Sequence, residues 1–86
     1  MMPETSQTRV KRLKMRSWRR GTKEMDLILG PYSDSQLEAI SATDLDRFEN
    51  LLNENDQDLY QWVTGAVTVP PAHAPILNKI KAFHGI

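Results

Sequence analysis

Side chains able to grip another molecule are concentrated at one point of this 86-residue chain, Arg19-Arg20-Gly21-Thr22-Lys23-Glu24-Met25-Asp26. An arginine fork binds a carboxylate or phosphate through two parallel hydrogen bonds, and a glutamate accepts from a cation or a backbone N–H. A glycine between them removes the side chain that would keep a partner's backbone away. This is chemistry for docking. Elsewhere the reactive residues are scattered. His73 sits in a Pro-rich stretch and His84 near the C-terminus, where an imidazolium suits the end of a helix dipole. Asp44 with Asp46, and Asp56 with Asp58, are two residues apart; on a helix that spacing points each pair to different faces, as first-turn dipole partners and not as groups sharing a proton. No Walker loop, dinucleotide fingerprint, zinc pattern, nucleophile elbow or EF-hand loop occurs. With no cysteine there is no disulfide and no thiolate metal site. The residues indicate no enzyme.

The charged corner is also a boundary. Residues 1–23 carry a net +7, residues 24–58 a net −9 and residues 59–86 a net +2, which together hide behind a formal charge of zero. Such a dipolar chain either steers a charged macromolecule into one orientation or folds its basic arm onto its acidic body. Both outcomes stay open at this point. Lys11, Arg12, Lys14, Arg16, Arg19, Arg20 and Lys23 have the charge to bind phosphates, so a small nucleic-acid-binding or regulatory protein is the competing function. Against it, the acidic body repels a duplex reaching beyond the arm, and no helix-turn-helix recognition helix is evident; the expectation is no nucleic acid.

Hydrophobic periodicity supplies the elements that position the corner. Residues 1–7, with Pro3, read as a flexible lead-in, and residues 8–86 as a single helical domain. Thr8 to Arg19 forms a first helix with Val10, Leu13 and Ser17 on one stripe, and Gly21 is the left-handed residue expected to stop it. Lys23 to Tyr32 follows, with Met25, Ile28, Leu29 and Tyr32 on one face, until Gly30-Pro31 kinks or interrupts it. Leu37 and Ile40 continue the apolar face. Ser41 caps a third helix carrying Leu45, Phe48, Leu51 and Leu52, and Asn55 or Asp56 caps a fourth carrying Leu59, Trp62 and Val63, with Gly65 as its stop. Ala66 to Pro71 reads as an extended loop. A last helix, starting at Ala72 or Ala74 and running to Phe83, has Ile76, Leu77, Ile80 and Phe83 as its core face and Gly85 beyond its end. The expected fold is all-α, a small compact bundle of four to five short helices. Trp62 belongs to the core; for Trp18, beside the basic corner, core packing and stacking on a planar partner are both open.

At this length about 60% of the unfolded chain's surface is buried on folding, and no apolar run approaches a membrane span. The expectations are therefore a soluble monomer, no membrane insertion, and a cytoplasmic location of bacterial type or, in a eukaryote, the mitochondrial matrix. A helix starting near Thr8 leaves little room for a removable presequence.

The segment Arg20-Gly21-Thr22-Lys23-Glu24 resembles the Arg-Gly-x-x-Glu motif of the succinate dehydrogenase assembly factor family, the small flavinylation factors. The resemblance runs from about Arg9 to Gly65 and takes in Asp26, Phe48, Leu51-Leu52, Asp58-Leu59 and Trp62. It implies a helical bundle that binds the flavoprotein subunit of succinate dehydrogenase, or of the related fumarate reductase, and promotes covalent attachment of FAD to a histidine of that subunit. FAD is then carried by the partner, with none bound stably by this chain and no metal. The implied partner-binding residues are Trp18, Arg19, Arg20, Gly21, Glu24 and Asp26. Arg20 would meet a partner carboxylate, Glu24 a partner arginine or backbone donor, and Gly21 would allow close approach. The plain alternative is that Gly21 only stops a helix and Arg20 and Glu24 form a surface i, i+4 pair.

Overall fold

The computed structural model describes residues 4–86; Met1 to Pro3, part of the expected lead-in, lie outside the described residues. Five helices follow in order: α1 (Ser6–Trp18), α2 (Lys23–Gln36), α3 (Ala42–Leu52), α4 (Asp56–Thr64) and α5 (Ala74–His84). No strand occurs among the described residues. The all-α expectation holds, and 66–71 is loop.

Local sequence sets the helix ends. Thr5, Thr22, Ser41 and Asn55 each accept a hydrogen bond from the backbone N–H three residues on, at Thr8, Met25, Asp44 and Asp58. Each such cap stabilises its helix by about 1 kcal/mol. Helix α1 accordingly starts two residues before the expected Thr8. Gly65 (φ 82°) and Gly85 (φ 73°) end α4 and α5 in the left-handed conformation. Gly21 does not share it, because among the described residues the only positive φ angles are at Gly65 and Gly85. Helix α1 instead ends through Arg19 (φ −122°, ψ 48°), whose N–H bonds to the Arg16 carbonyl.

Helix α2 also corrects the sequence reading. It runs from Lys23 to Gln36 without interruption, with Pro31 inside it. The missing proline donor is tolerated because Leu29, Gly30, Tyr32 and Ser33 around it are all buried, so packing outweighs local propensity. The core gathers the expected faces: Met25, Leu29 and Tyr32 of α2, Phe48 and Leu51 of α3, Leu59 and Trp62 of α4, and Ile76, Leu77 and Ile80 of α5, with Leu13 from α1. Each fully buried leucine or isoleucine contributes about 2 kcal/mol. Phe83 departs from the pattern. It is 41% exposed and meets Tyr32 edge-to-face at 5.6 Å on the rim of the core.

Candidate functional site

The basic arm is used mostly inside the molecule. Arg9 pairs with Asp46 (2.7 Å) and Glu49 (2.9 Å), Arg12 with Glu4 (2.8 Å) and Glu49 (2.9 Å), and Lys14 with Glu38 (2.7 Å). Arg16 donates to the Leu52 carbonyl and the Asn53 side chain. Burial pushes the Glu49 carboxyl up, but the Arg12 and Arg9 guanidiniums bonded to it prevail and hold it below the ordinary range. Of the two outcomes of the charge asymmetry, the arm folding onto the acidic body is therefore realised.

Arg20 goes further inward. Its Nε donates to Asp56 Oδ1 (2.8 Å), Nη1 to the Leu52 carbonyl (2.7 Å) and Nη2 to the Glu54 carbonyl (2.6 Å). Both side chains of the Arg20–Asp56 pair are only 11% exposed. The guanidinium thus sits at the C-terminus of α3, and its carboxylate partner at the N-terminus of α4, where the two helix dipoles favour a cation and an anion respectively. The second Asp56 oxygen accepts from the Thr22 N–H (2.9 Å), and Asp26 Oδ1 accepts from the Arg20 N–H (2.6 Å). The corner between α1 and α2 is stitched at three points.

Gly21 belongs to this stitching. A Cβ at that position would stand 3.1 Å from Asp56 Oδ2, tighter than ordinary packing. The glycine makes room for the close approach of a carboxylate, and left-handed backbone has no part in it. Sequence reasoning missed Asp56 as the partner of Arg20. The signal available, an acid in the first turn of α4, identified only its dipole role.

The outer side of the corner is different. Arg19, Thr22, Lys23 and Glu24 are exposed, and among the described residues Arg19, Lys23 and Glu24 make no ion pair. The surface i, i+4 pair between Arg20 and Glu24 does not form, since Arg20 is taken by Asp56. A groove of ≈ 500 Å³ runs from Thr22 and Glu24 along Gln57, Tyr60 and Gln61 of α4. Tyr60 is 46% exposed within it. Trp18, the last residue of α1, is 40% exposed and donates from Nε1 to Asp34 Oδ2 at 3.0 Å. The structure therefore brings all six expected residues to one corner but divides them: Arg20 and Asp26 face inward, Gly21 lines the seam, and Trp18, Arg19 and Glu24 face water.

The histidines have structural partners. His84 Nε2 lies 2.6 Å from the Ile28 carbonyl, and His73 Nε2 lies 3.3 Å from Glu54 Oε1 with its ring against Trp62. No group of three or more His, Asp or Glu arranged to hold a metal exists among the described residues. No helix described is long and apolar enough to cross a membrane.

Comparison with known proteins gives the same direction. The family model described as "Flavinator of succinate dehydrogenase" matches residues 11–84. The chain is 38% identical over 68 residues to succinate dehydrogenase assembly factor 2, mitochondrial, of Meyerozyma guilliermondii, a match covering 79% of this chain and 50% of that protein. It is 30% identical over 83 residues to the protein of the same name in Yarrowia lipolytica, covering 91% and 57%. It is 33% identical over 73 residues to the FAD assembly factor SdhE of Acetobacter pasteurianus, covering 84% and 67%. The chain spans about half the length of most of the curated relatives it matches. With nearly all of its helical core inside the matched residues, this chain belongs to the Sdh5 family, the flavinators of succinate dehydrogenase.

Proposed function

We propose that the chain is an assembly factor that binds the flavoprotein subunit of succinate dehydrogenase and promotes covalent attachment of FAD to it, with no turnover chemistry of its own. The observation that carries this reading is the split corner: an inward latch, Arg20 on Asp56, leaves Arg19, Lys23 and Glu24 outward and, among the described residues, without ion pairs. A pre-organised charged edge of that kind binds a protein surface without first having to order itself. Attachment requires a flavin methyl carbon to be held against the acceptor histidine nitrogen of the partner. A factor that stabilises the reactive arrangement accelerates that step through positioning alone. FAD stays on the partner throughout. The compartment that accompanies this reading is the bacterial cytoplasm or the mitochondrial matrix, and the fumarate reductase flavoprotein is a second candidate of the same chemistry.

The nucleic-acid reading has no comparable support, because Arg12, Lys14, Arg16 and Arg20 are bonded within the chain. The test is direct. FAD-loaded flavoprotein subunit lacking the covalent bond is incubated with and without the chain, and flavin fluorescence is read in a denaturing gel. Covalent flavin is expected to form faster with the chain present; equal yields with and without it would refute the proposal.

A further inference from the structure

Helix α2 carries two residues that work against it side by side, Gly30 and Pro31. A mid-helix glycine costs about 1 kcal/mol relative to alanine and a proline about 3. Gly30 is not there for its backbone, since its φ is not positive. Its reason is Trp18. A Cβ on Gly30 would collide with Trp18 Cδ2 and Cε2, the bond shared by the two indole rings, and would lie 2.7 Å from Cε3. One face of the indole is thus laid on bare helix backbone. Its Nε1–H is held by Asp34, one turn further along α2 (3.0 Å).

The same indole remains 40% exposed. Met15, one turn earlier on α1, is 49% exposed, and Leu27, one turn before Gly30 on α2, is 53% exposed. An aromatic side chain already fixed in one orientation loses little further freedom on binding, which is what makes tryptophan an effective interface anchor. Trp18 directly precedes Arg19, and both are exposed, so the indole adjoins the charged edge of the corner. The arrangement is an apolar centre with a charged rim, the pattern of a protein interface.

We propose that Trp18, bedded on Gly30 and tethered by Asp34, is a preformed anchor whose outer face seats in an apolar recess of the flavoprotein partner, with Met15 and Leu27 beside it. This rests on the functional reading above and deepens it at one of the corner's outward residues. The unpaired Arg19 next to the anchor fits a recess with an acidic rim.

The experiment labels this chain alone with 5-fluorotryptophan, which gives two ¹⁹F resonances, from Trp18 and Trp62, assigned with a Trp18→Phe variant. Unlabelled, FAD-loaded flavoprotein subunit is added to saturation. The Trp18 resonance is expected to shift and to lose its H₂O/D₂O isotope shift, while that of Trp62, 7% exposed, stays in place. A Trp18→Leu variant with normal helix content is expected to bind at least about ten-fold more weakly. If a complex forms, shown by co-elution, and the Trp18 resonance keeps its position and its isotope shift, the anchor is overturned and the functional reading survives. If no complex forms at all, both fall.

Discussion

Two groups of basic residues from one stretch of sequence meet acids in this fold, and they do different work. Along α1, Arg9, Arg12 and Lys14 reach across the surface to Asp46, Glu49, Glu4 and Glu38, acids whose side chains are 27–76% exposed. At the corner, Arg20 and Asp56 are 11% exposed each, and the guanidinium's other nitrogens end on backbone carbonyls. Exposed pairs of the first kind contribute about 0–1 kcal/mol each. Removing one partner of a pair of the second kind leaves a charge uncompensated away from water, at a cost of about 3–5 kcal/mol. A run of positive charge is therefore not one feature: Arg9 and Arg12 tack α1 onto α3, and Arg20 builds the corner.

The sharpest way to break this distinction is Asp56→Ala. It orphans the Arg20 guanidinium and the Thr22 N–H together, and a loss of about 3 kcal/mol is expected in urea unfolding followed by circular dichroism. For a domain of this size that lowers Tm by more than about 10 °C. A loss of only a few tenths would place Asp56 with the exposed pairs.

Gly30→Ala comes next and tests whether packing governs the same region. Alanine is the better helix former by about 1 kcal/mol, yet its methyl group meets the Trp18 ring. A net destabilisation of about 1–2 kcal/mol is expected. In the double variant with Trp18→Ala, the two costs should sum to less than their separate values.

Acid titration sharpens the comparison through Asp44, buried at the start of α3 and bonded to Lys79 and Arg47. The Lys79 ammonium, ahead of a contribution from Arg47, holds its carboxyl below the ordinary range despite an opposing burial effect. Glu4 and Glu38 are held below it too, by Arg12 and Lys14. A depressed carboxylate adds stability above its unfolded pKa of about 4 and loses it as pH falls through the folded value. Urea midpoints should therefore decline on acidification below about pH 5, and Asp44→Asn should flatten that decline while lowering the unfolding free energy at neutral pH by about 1 kcal/mol.

The smallest effect belongs to the arm. Arg9→Ala should cost at most about 1 kcal/mol, and most of that should vanish in 1 M NaCl, where the Debye length is about 3 Å. The Asp56→Ala loss should persist in the same salt.

Much of the fold was legible because the rules that generate it are local. Ser41 and Asn55 cap the helices they were expected to cap, and Met25, Leu29 and Tyr32 or Ile76, Leu77 and Ile80 lie on buried stripes that their spacing announces. What escaped was long-range. Arg20 and Asp56 are 36 residues apart, and no i, i+4 rule links them. Gly21 looked like a left-handed stop because that is the commonest use of glycine after a helix, whereas here it admits a carboxylate from α4. Gly30-Pro31 looked like a break, but the indole that occupies the missing side chain's place comes from α1. The corner was found by its charge; its division into an inward latch and an outward edge depends on tertiary contacts.

That division carries the functional reading, and one measurement reaches it: the yield of covalent flavin plotted against the unfolding midpoint for outward and inward variants. Arg19→Ala and Glu24→Ala are expected to lose flavinylation with midpoints unchanged, while Arg20→Lys and Asp56→Asn lose both together. Full flavinylation by the two outward variants would contradict a docking surface at the corner and leave it a purely structural joint.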